Sequence, residues 1–280
     1  MMAGSEASTK YQVRAVSAAF KILGGLAETP RQTLSQLSSS LAMSNSLTYR
    51  MLATLEGEGM VYRDRHRRYS LGSRAMYLGY QAQRGLPINE VAQPAIERLV
   101  DATAETVHLV LRVGLERVIV ATKESPQPVR VASLIGTKFP LYYGGTGLCI
   151  FAHLPSELQD DVLAQELAPK TPLMERDRGK IRELAQLVKE RGYHVAIGDF
   201  AKDAFSVAAP VFGTDGDVIG AICVVGPDSR LTPEVQERAV QAVKAAARDI
   251  SAALGYAGTR GRDGRSRAPA ALRARGRGRP

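Results

Sequence analysis

The sequence predicts an α+β protein in which a small helical N-terminal domain precedes a larger domain built on an antiparallel sheet. Its 280 residues are enough to form two separate cores. The first 72 residues show three helical segments and then two short strand-like runs. The stretch 88–256 mixes strand-like runs with longer helical segments, a pattern that groups helices around one sheet.

The first predicted helix covers Tyr11 to Glu28, and Pro30 ends it. Its apolar residues recur at intervals of three and four positions, as expected for an amphipathic helix. The residues predicted to face the core are Val16, Phe20, Leu23 and Leu26.

Two further helices complete a predicted helix-turn-helix. Thr33 is a good N-cap for a short helix over residues 34–41, and Ser44 can cap a third helix over residues 45–56. Ala42 and Met43 form the tight connection between them. The inner stripe of the third helix is predicted to be Leu47, Met51, Leu52 and Leu55.

A two-stranded wing and a linker helix are predicted next. Residues 60–62 and 69–72 are extended, and the polar stretch 64–68 is the hairpin tip between them. A linker helix covers 73–84, and Gly85 and Pro87 mark the boundary to the second domain. The predicted divisions are a flexible arm (1–10), a winged helix-turn-helix (11–72), a linker (73–87), a C-terminal domain (88–256) and a disordered tail (257–280).

The C-terminal domain alternates strands with helices. Its predicted strands are 107–113, 117–122, 129–133, 193–197, 206–212 and 218–225. Its predicted helices are 88–104, a segment ending near His153, 156–167, 177–191 and 232–254. Asp215-Gly216 supplies a hairpin turn between the last two strands.

Both ends of the chain are basic. Residues 1–85 carry 11 Lys and Arg against 5 Asp and Glu, and residues 257–280 carry 8 Arg against 1 Asp. The middle is mildly acidic, with 18 basic and 22 acidic residues. A basic end is typical of a module that binds a polyanion, although a solvated charged surface is the alternative. The tail has almost no large apolar residue, so we expect it to be disordered.

The third helix and the wing are the predicted DNA-reading surface, because the N-terminal part of such a helix enters the major groove. Ser, Asn and Arg side chains can donate hydrogen bonds to phosphates or base edges there. An ordinary amphipathic helix with a polar outer face is the alternative. The candidate DNA-binding residues are Thr33, Ser44, Asn45, Ser46, Thr48, Tyr49, Arg50, Arg63, Arg65 and Arg67.

Several classes of protein are disfavoured. No apolar run approaches the roughly 18 residues of a membrane span, and no secretory signal is visible. Cys149 and Cys223 belong to no metal-binding or disulfide pattern, so we expect a cytoplasmic protein without a metal or cofactor. An enzyme using either cysteine is the alternative, but no catalytic motif supports it. A non-specific nucleic-acid-binding protein driven by the Arg-rich tail is a further alternative.

Residues 11–256 resemble the isocitrate lyase regulator (IclR) family of transcriptional regulators. The resemblance rests on motifs in the expected order, which are Ala15-Val16-x3-Phe20-x-Ile22-Leu23, Leu34-x2-Leu37-x3-Leu41, Tyr49 to Glu56, Tyr69 to Gly72, Glu105 to Leu109, Val129 to Ser133, Ala208 to Val211 and Gly226-Pro227-x3-Leu231-Thr232. It implies a winged helix-turn-helix, a linker helix and a GAF-like effector-binding domain. It also implies homodimers that pair into tetramers, and repression or activation at operator DNA.

The resemblance further implies an effector pocket beneath the loop 142–147. Members that sense small carboxylates have polar residues where this chain has Ser206, Cys223, Val225, Ala196 and Leu148. We therefore expect a larger, more apolar organic acid, such as an aromatic one. The alternative is that the two tyrosines of the loop only pack the core or a dimer surface. His108 is expected to be a hydrogen-bonded structural residue. The candidate effector-binding residues are Tyr142, Tyr143, Gly144, Gly145, Thr146, Asp199, Phe205, Ser206 and Cys223.

Overall fold

The computed structural model describes residues 13–85 and 87–258. The predicted N-terminal arm, the first two residues of the first predicted helix and the tail from residue 259 onward lie outside the described residues. The chain divides into two compact units between Pro87 and Ile88.

The N-terminal unit contains four helices and three short strands among its described residues. In chain order they are α1 (Arg14–Glu28), β1 (Gln32–Thr33), α2 (Leu34–Ser40), α3 (Asn45–Gly57), β2 (Val61–Arg63), β3 (Arg68–Leu71) and α4 (Ser73–Arg84). The strands form an antiparallel sheet in the order β1-β3-β2. The hairpin β2-β3 is the predicted wing, and the two-residue β1 is an addition that the sequence did not predict.

The core of this unit lies between α1, α2, α3 and the small sheet. Its buried apolar residues are Ile22, Leu26, Leu37, Leu52, Leu55, Val61 and Tyr69. Side-chain caps fix where α2 and α3 begin. Thr33 and Gln36 form a reciprocal capping box, and the Ser44 hydroxyl accepts a hydrogen bond from the Leu47 amide.

The predicted inner face of α1 is partly wrong. Ala18, Ile22 and Leu26 face the core, whereas Val16 and Phe20 are 52% and 67% exposed. Residues spaced by four form one stripe, and Val16 lies two residues from Ala18, about 200° around the helix. Val16 and Phe20 therefore form a second apolar stripe that points to solvent in the single chain.

The C-terminal unit is built on a six-stranded sheet. In chain order its elements are α5 (Pro87–Thr103), β4 (Thr106–Val113), β5 (Glu116–Lys123), β6 (Lys138–Pro140), α6 (Gly145–Ala152), α7 (Ser156–Ala164), α8 (Arg178–Arg191), β7 (His194–Ile197), β8 (Ala204–Phe212), β9 (Val218–Pro227), a 3-10 turn (Asp228–Arg230) and α9 (Pro233–Ala253). All neighbours in the order β6-β5-β4-β9-β8-β7 are antiparallel. The α+β class and the antiparallel sheet agree with the prediction.

Helices cover both faces of the sheet. The Cys149 thiol of α6 donates a hydrogen bond to the Ala208 carbonyl, which holds α6 against β8. Successive strand residues point to opposite faces, so the buried Val207 and Val224 face away from α6. Helix α9 packs against β8 and β9 on that second side, and an ion pair of 2.7 Å between Arg98 and Asp249 joins α5 to α9.

The predicted strand 129–133 is not a strand. Side chains, rather than a sheet ladder, hold this extended segment. The Val131 carbonyl accepts a hydrogen bond of 2.8 Å from the Thr106 hydroxyl, and the Val129 carbonyl accepts one of 2.9 Å from Arg230. The edge position beside β5 belongs instead to β6. The apolar run is extended, as its composition predicts, but its backbone pairs with no neighbouring strand.

Candidate ligand cavity and DNA-contacting surface

The outer face of α3 is polar and open to solvent. Asn45, Ser46, Tyr49 and Arg50 are all exposed, with Tyr49 at 58%. Thr48 is a correction to the candidate set, because its side chain is fully buried and its hydroxyl donates to the Ser44 carbonyl at 3.0 Å. Thr48 therefore braces the first turn of α3 from the inside.

The wing has a fixed backbone tip from which basic side chains extend. One carboxylate oxygen of Asp64 accepts hydrogen bonds from the amides of Arg68 and His66, at 2.9 and 2.8 Å. These amide hydrogen bonds, that of Arg68 first, lower the pKa of Asp64. The exposed basic residues of the wing are Arg63, Arg65, Arg67 and Arg68. The hydroxyl of Thr33, another candidate, caps α2 through hydrogen bonds with Gln36.

A cleft of about 560 Å³, counted together with the open solvent at its mouth, lies in the C-terminal unit between the sheet and the start of α6. Its lining is mostly apolar, with a small number of polar groups. The lining residues are His108, Val110, Arg117, Ile119, Val131, Ser133, Phe139, Gly144, Gly145, Thr146, Asp199, Phe200, Ala204, Phe205, Ser206, Cys223 and Val225.

The loop that enters α6 forms one wall of the cleft, and two acceptors already hold its first amides. The Gly144 amide donates to the Asp199 carboxylate at 3.0 Å, and the Gly145 amide donates to the Ser206 hydroxyl at 3.3 Å. Gly144 has φ 74°, a left-handed conformation that favours glycine. Burial raises the pKa of Asp199, although the Gly144 amide and Arg117 oppose that shift.

Arg117 is the principal residue that the sequence-based set missed. Its side chain is only 2% exposed and donates a hydrogen bond to the Pro140 carbonyl. The guanidinium carbon lies 5.4 Å from the ring centre of Phe139 and 5.2 Å from that of Tyr143. Burial lowers the pKa of Arg117 to about 10, so the group stays charged at neutral pH. No carboxylate of the described residues forms an ion pair with it.

One ring nitrogen of His108 makes a structural hydrogen bond, and the other has no partner among the described residues. Its Nδ1 lies 2.9 Å from the Thr122 hydroxyl, as a structural role predicts. Its Nε2 is buried at the cleft and has no hydrogen-bond partner among the described residues. Burial lowers the pKa of His108 to about 4, so the ring is neutral at physiological pH.

Phenylalanines, rather than tyrosines, supply the aromatic lining. Tyr142 and Tyr143 do not line the cleft, which contradicts the expectation for both. Both rings are buried in the core beneath α6, and the Tyr142 hydroxyl lies 3.5 Å from the Ala168 carbonyl. Tyr143 acts on the cleft indirectly, as one of the two rings against Arg117. The cleft itself is lined by Phe139, Phe200 and Phe205.

The other candidate effector-binding residues lie together on the cleft. Gly144, Gly145 and Thr146 line the cleft from the loop side, and Ser206 and Cys223 line it from the sheet. Asp199 and Phe205 complete the set. Strand alternation could have found Arg117, because it shares a sheet face with the apolar Ile119 two residues later. No local signal in the sequence points to Phe139 or Phe200, which lie in irregular or edge segments.

Both cysteine thiols are buried and protonated. Burial raises the pKa of Cys149 and raises that of Cys223 to about 12. Neither thiol therefore has the thiolate character that a nucleophile needs. Within the ranges 13–85 and 87–258, no three His, Cys, Asp or Glu side chains gather in a way that could hold a metal ion. In the same ranges, no helix is both long and apolar enough to cross a membrane.

Two family models match most of the chain. Residues 15–65 match the IclR helix-turn-helix domain, and residues 80–252 match the C-terminal domain of the bacterial transcriptional regulator IclR. The first match contains α1 to α3 and the start of the wing, and the second contains the whole cleft.

Whole-chain comparisons give the same relationship. The HTH-type transcriptional regulator KipR of Bacillus subtilis is 31% identical over 233 residues, which are 81% of this chain and 91% of KipR. The crystal structure of an IclR transcriptional regulator from Alicyclobacillus acidocaldarius has a TM-score of 0.80 at 31% identity, covering 88% of this chain and 100% of the other. An IclR homologue from Microbacterium hydrocarbonoxydans shares the fold at 23% identity, with a TM-score of 0.73 and coverage of 86% and 98%.

Proposed function

The chain belongs to the IclR family of bacterial transcriptional regulators, which are not enzymes, and from that premise we propose that an aromatic organic acid controls its binding to a specific operator. In this proposal α3 and the wing bind double-stranded DNA, and the cleft in the C-terminal unit binds the acid. The bound acid changes the affinity of the protein for its operator.

The DNA-binding half of the proposal is supported by the exposed surface of α3. A helix N-terminus with Asn45, Ser46 and Arg50 facing outward offers donors for base edges and phosphates. The basic wing adds phosphate contacts that strengthen binding without reading sequence. Thr48 is not part of this surface, since its side chain is buried.

One observation carries the effector half: the cleft encloses a charged Arg117 among aromatic rings, and no carboxylate of the described residues forms an ion pair with it. Asp199 attracts this guanidinium without pairing with it, and burying a charge that has no ion-pair partner is costly, so an anion bound in the cleft would stabilise Arg117. The phenylalanine lining is matched to an aromatic ring. The Microbacterium hydrocarbonoxydans homologue was crystallised with 4-hydroxybenzoate, an acid of this class.

We also propose that the protein acts in the cytoplasm as a homodimer, with dimers pairing into tetramers. Exposed apolar side chains in the N-terminal unit support association. They are Val16 and Phe20 on α1 and Met76, Tyr77 and Leu78 on α4. Exposed apolar patches of this kind mark interaction surfaces in soluble proteins. A dimer would present two recognition helices to an operator made of two half-sites.

The proposal is tested by selecting DNA fragments from a random library and measuring their binding with and without candidate acids. The acids are benzoate, 4-hydroxybenzoate, glyoxylate and pyruvate. We expect a preferred DNA sequence, and a change in its affinity with the aromatic acids only. Equal affinity for all fragments would instead favour a non-specific nucleic-acid-binding protein.

A pair of variants tests whether the response of DNA binding to the acid arises in the cleft. Ser206→Leu places a larger side chain in the cleft and should abolish the effect of the acid while leaving DNA binding intact. Ser156→Leu is the matched control, because Ser156 is exposed at the first turn of α7. An acid response that survives in Ser206→Leu would contradict the proposed location of the site.

A further inference from the structure

Resting on the effector cleft proposed above, we propose that Arg117 binds the anionic end of the effector and that His108 binds an uncharged polar group at its far end. The effector is then an elongated monoanion with a hydrogen-bonding group, such as a hydroxyl, opposite its acidic group. This assignment places the negative charge at a strand residue rather than at the start of α6.

The surroundings of Arg117 leave most of its N–H donors able to bind an anion. Two rings, those of Phe139 and Tyr143, hold the guanidinium, and the Pro140 carbonyl accepts a single hydrogen bond from it. A guanidinium has five N–H donors, so most of them remain for a ligand. A planar guanidinium binds a carboxylate with two parallel hydrogen bonds. The first turn of α6 also fits closely around this side chain, since a Cβ at Gly147 would lie only 2.5 Å from Arg117 Nη1.

The start of α6 is less suited to the acidic group. Its first two amides already donate to the Asp199 carboxylate and the Ser206 hydroxyl. A second carboxylate beside Asp199 would bring two like charges together in a site of low polarity, which is unfavourable. Arg117 is the cation of the cleft lining, so it can accept the charge that this loop would repel.

His108 indicates the chemistry of the other end. It lines the cleft at 5% exposure, and its Nε2 has no hydrogen-bond partner among the described residues. A neutral imidazole nitrogen acts as a donor or an acceptor according to the tautomer. Either form satisfies a hydroxyl, whereas a second carboxylate at this position would lose its hydration without gaining a counter-charge.

The sheet register keeps the two anchors apart. His108 on β4 lies opposite Thr122 on β5, and Arg117 lies five residues earlier on β5. The register partner of Arg117 is Arg112, four residues from His108 on β4, so at about 3.3 Å per residue the two Cα atoms are separated by roughly 13 Å along the sheet. Arg117 donates to the carbonyl of Pro140, and Pro140 is the register partner of Glu116. A ligand that reaches both groups must be longer than a two- or three-carbon acid.

The test uses matched probes that differ in one group. They are 4-hydroxybenzoate and 4-hydroxycinnamate, their amides, and the parent acids benzoate and cinnamate, all measured by titration calorimetry. For the wild type we expect each hydroxy acid to bind at least tenfold more tightly than its amide and than its parent acid. Arg117→Met should remove the preference for acid over amide, and Arg117→Lys should keep part of it. His108→Leu should remove only the preference for the hydroxyl.

Arg112→Met is the matched control, because Arg112 lies opposite Arg117 in the register but does not line the cleft. It should bind every probe as the wild type does. The melting temperature of the ligand-free protein separates a binding role from a structural one. Arg117→Met removes a buried charge that has no ion-pair partner among the described residues, so its melting temperature should stay within about 4 °C of the wild-type value.

Three outcomes would overturn the inference. If Arg117→Met keeps the wild-type preference for acids, the assignment of Arg117 is wrong while the proposed function stands. A drop in its ligand-free melting temperature of more than about 4 °C would identify Arg117 as a structural residue. If the wild type binds none of the probes, the proposed aromatic effector is wrong, and the elongated monoanion inferred for the cleft is wrong with it.

Discussion

The Arg50 side chain can be removed without disturbing the core of the N-terminal unit. It lies on the exposed face of α3, while Leu52 and Leu55 on the other face fill the core. We expect Arg50→Ala to weaken operator binding by about 1–3 kcal/mol per site, because a phosphate or base contact is lost. Fluorescence anisotropy with the selected operator measures the change.

A second arginine provides the control for that experiment. Arg248→Ala removes the same charge from an exposed position on α9 in the other unit. It should leave operator affinity unchanged, and both variants should melt like the wild type. If Arg50→Ala binds the operator normally, α3 does not read DNA through this residue.

His108 makes the stability of the C-terminal unit depend on pH. Its pKa of about 4 in the folded protein lies below the unfolded value of about 6.5. The unfolded state therefore binds a proton first, and stability that is complete above pH 6.5 falls as the pH drops towards 4. The contribution from this group is on the order of 2 kcal/mol between pH 7.5 and 5.

Urea unfolding of the wild type and of His108→Gln at pH 7.5 and pH 5 measures this contribution. Gln keeps a polar group in place but does not titrate. The variant should lose less stability than the wild type on acidification. Equal losses in the two proteins would show that His108 does not stay neutral in the folded state.

Sequence reasoning predicted a largely apolar cleft but missed the charge buried in it. Gly144, Gly145, Ser206 and Cys223 line the cleft, because a loop entering a helix and two core strands converge at one point. The tyrosines were misplaced because a sequence does not show which side of a loop turns inward. A charged residue such as Arg117 is ordinarily read as a surface residue, and only the structure shows that two rings bury it.

At the scale of elements, the segment between β5 and β6 is held in place by an arginine that forms an ion pair outside the segment. Arg230 contacts both carboxylate oxygens of Glu105 at 2.6 Å and also donates to the Val129 carbonyl. The Glu105 side chain is 4% exposed and that of Arg230 is 31% exposed. We expect Arg230→Met to lower the free energy of unfolding by about 2 kcal/mol, since it leaves Glu105 charged and buried.

A neighbouring pair in the same segment is the control. Arg130 and Glu124 form an ion pair of 2.6 Å, but their side chains are 40% and 49% exposed. Arg130→Met should cost less than about 1 kcal/mol, because water screens this pair. Adding Glu105→Gln to Arg230→Met should recover part of the loss. Equal losses in the two single variants would show that burial of Glu105 does not determine the effect.

Elements were predicted best where local signals coincide. The linker helix and the capped helices α2 and α3 begin where predicted, because caps and turn residues act within a few positions. The segment 129–133 was predicted as a strand because its residues favour extended backbone. Whether an extended segment pairs depends on a partner strand far away in sequence, and the local pattern carries no information about that partner.

At the scale of the whole molecule, the exposed stripe on α1 tests the proposed association. Phe20→Ser removes a ring that is 67% exposed in the single chain. If this ring is buried between subunits, its loss should weaken the dimer by about 2 kcal/mol for each subunit. Light scattering over a range of protein concentrations should then show a shift towards the monomer.

Leu173→Ser is the corresponding control in the C-terminal unit, where Leu173 is 63% exposed. It removes a similar apolar surface and should leave the mass distribution unchanged. An unchanged mass for Phe20→Ser would show that α1 takes no part in association. The stripe was visible in the sequence, but its spacing alone could not show whether it faced the core or a second subunit.

The alternation of side chains along β4, β8 and β9 has an evolutionary consequence. Positions 108, 206, 223 and 225 face the cleft, while their neighbours on the same strands pack against the opposite layer. Main-chain hydrogen bonds hold the ladder whatever these four side chains are. If the cleft binds the proposed effector, single-codon changes at these positions can alter the choice of effector without rebuilding the protein. The same four codons would then form a compact library from which biosensors for other organic acids could be selected.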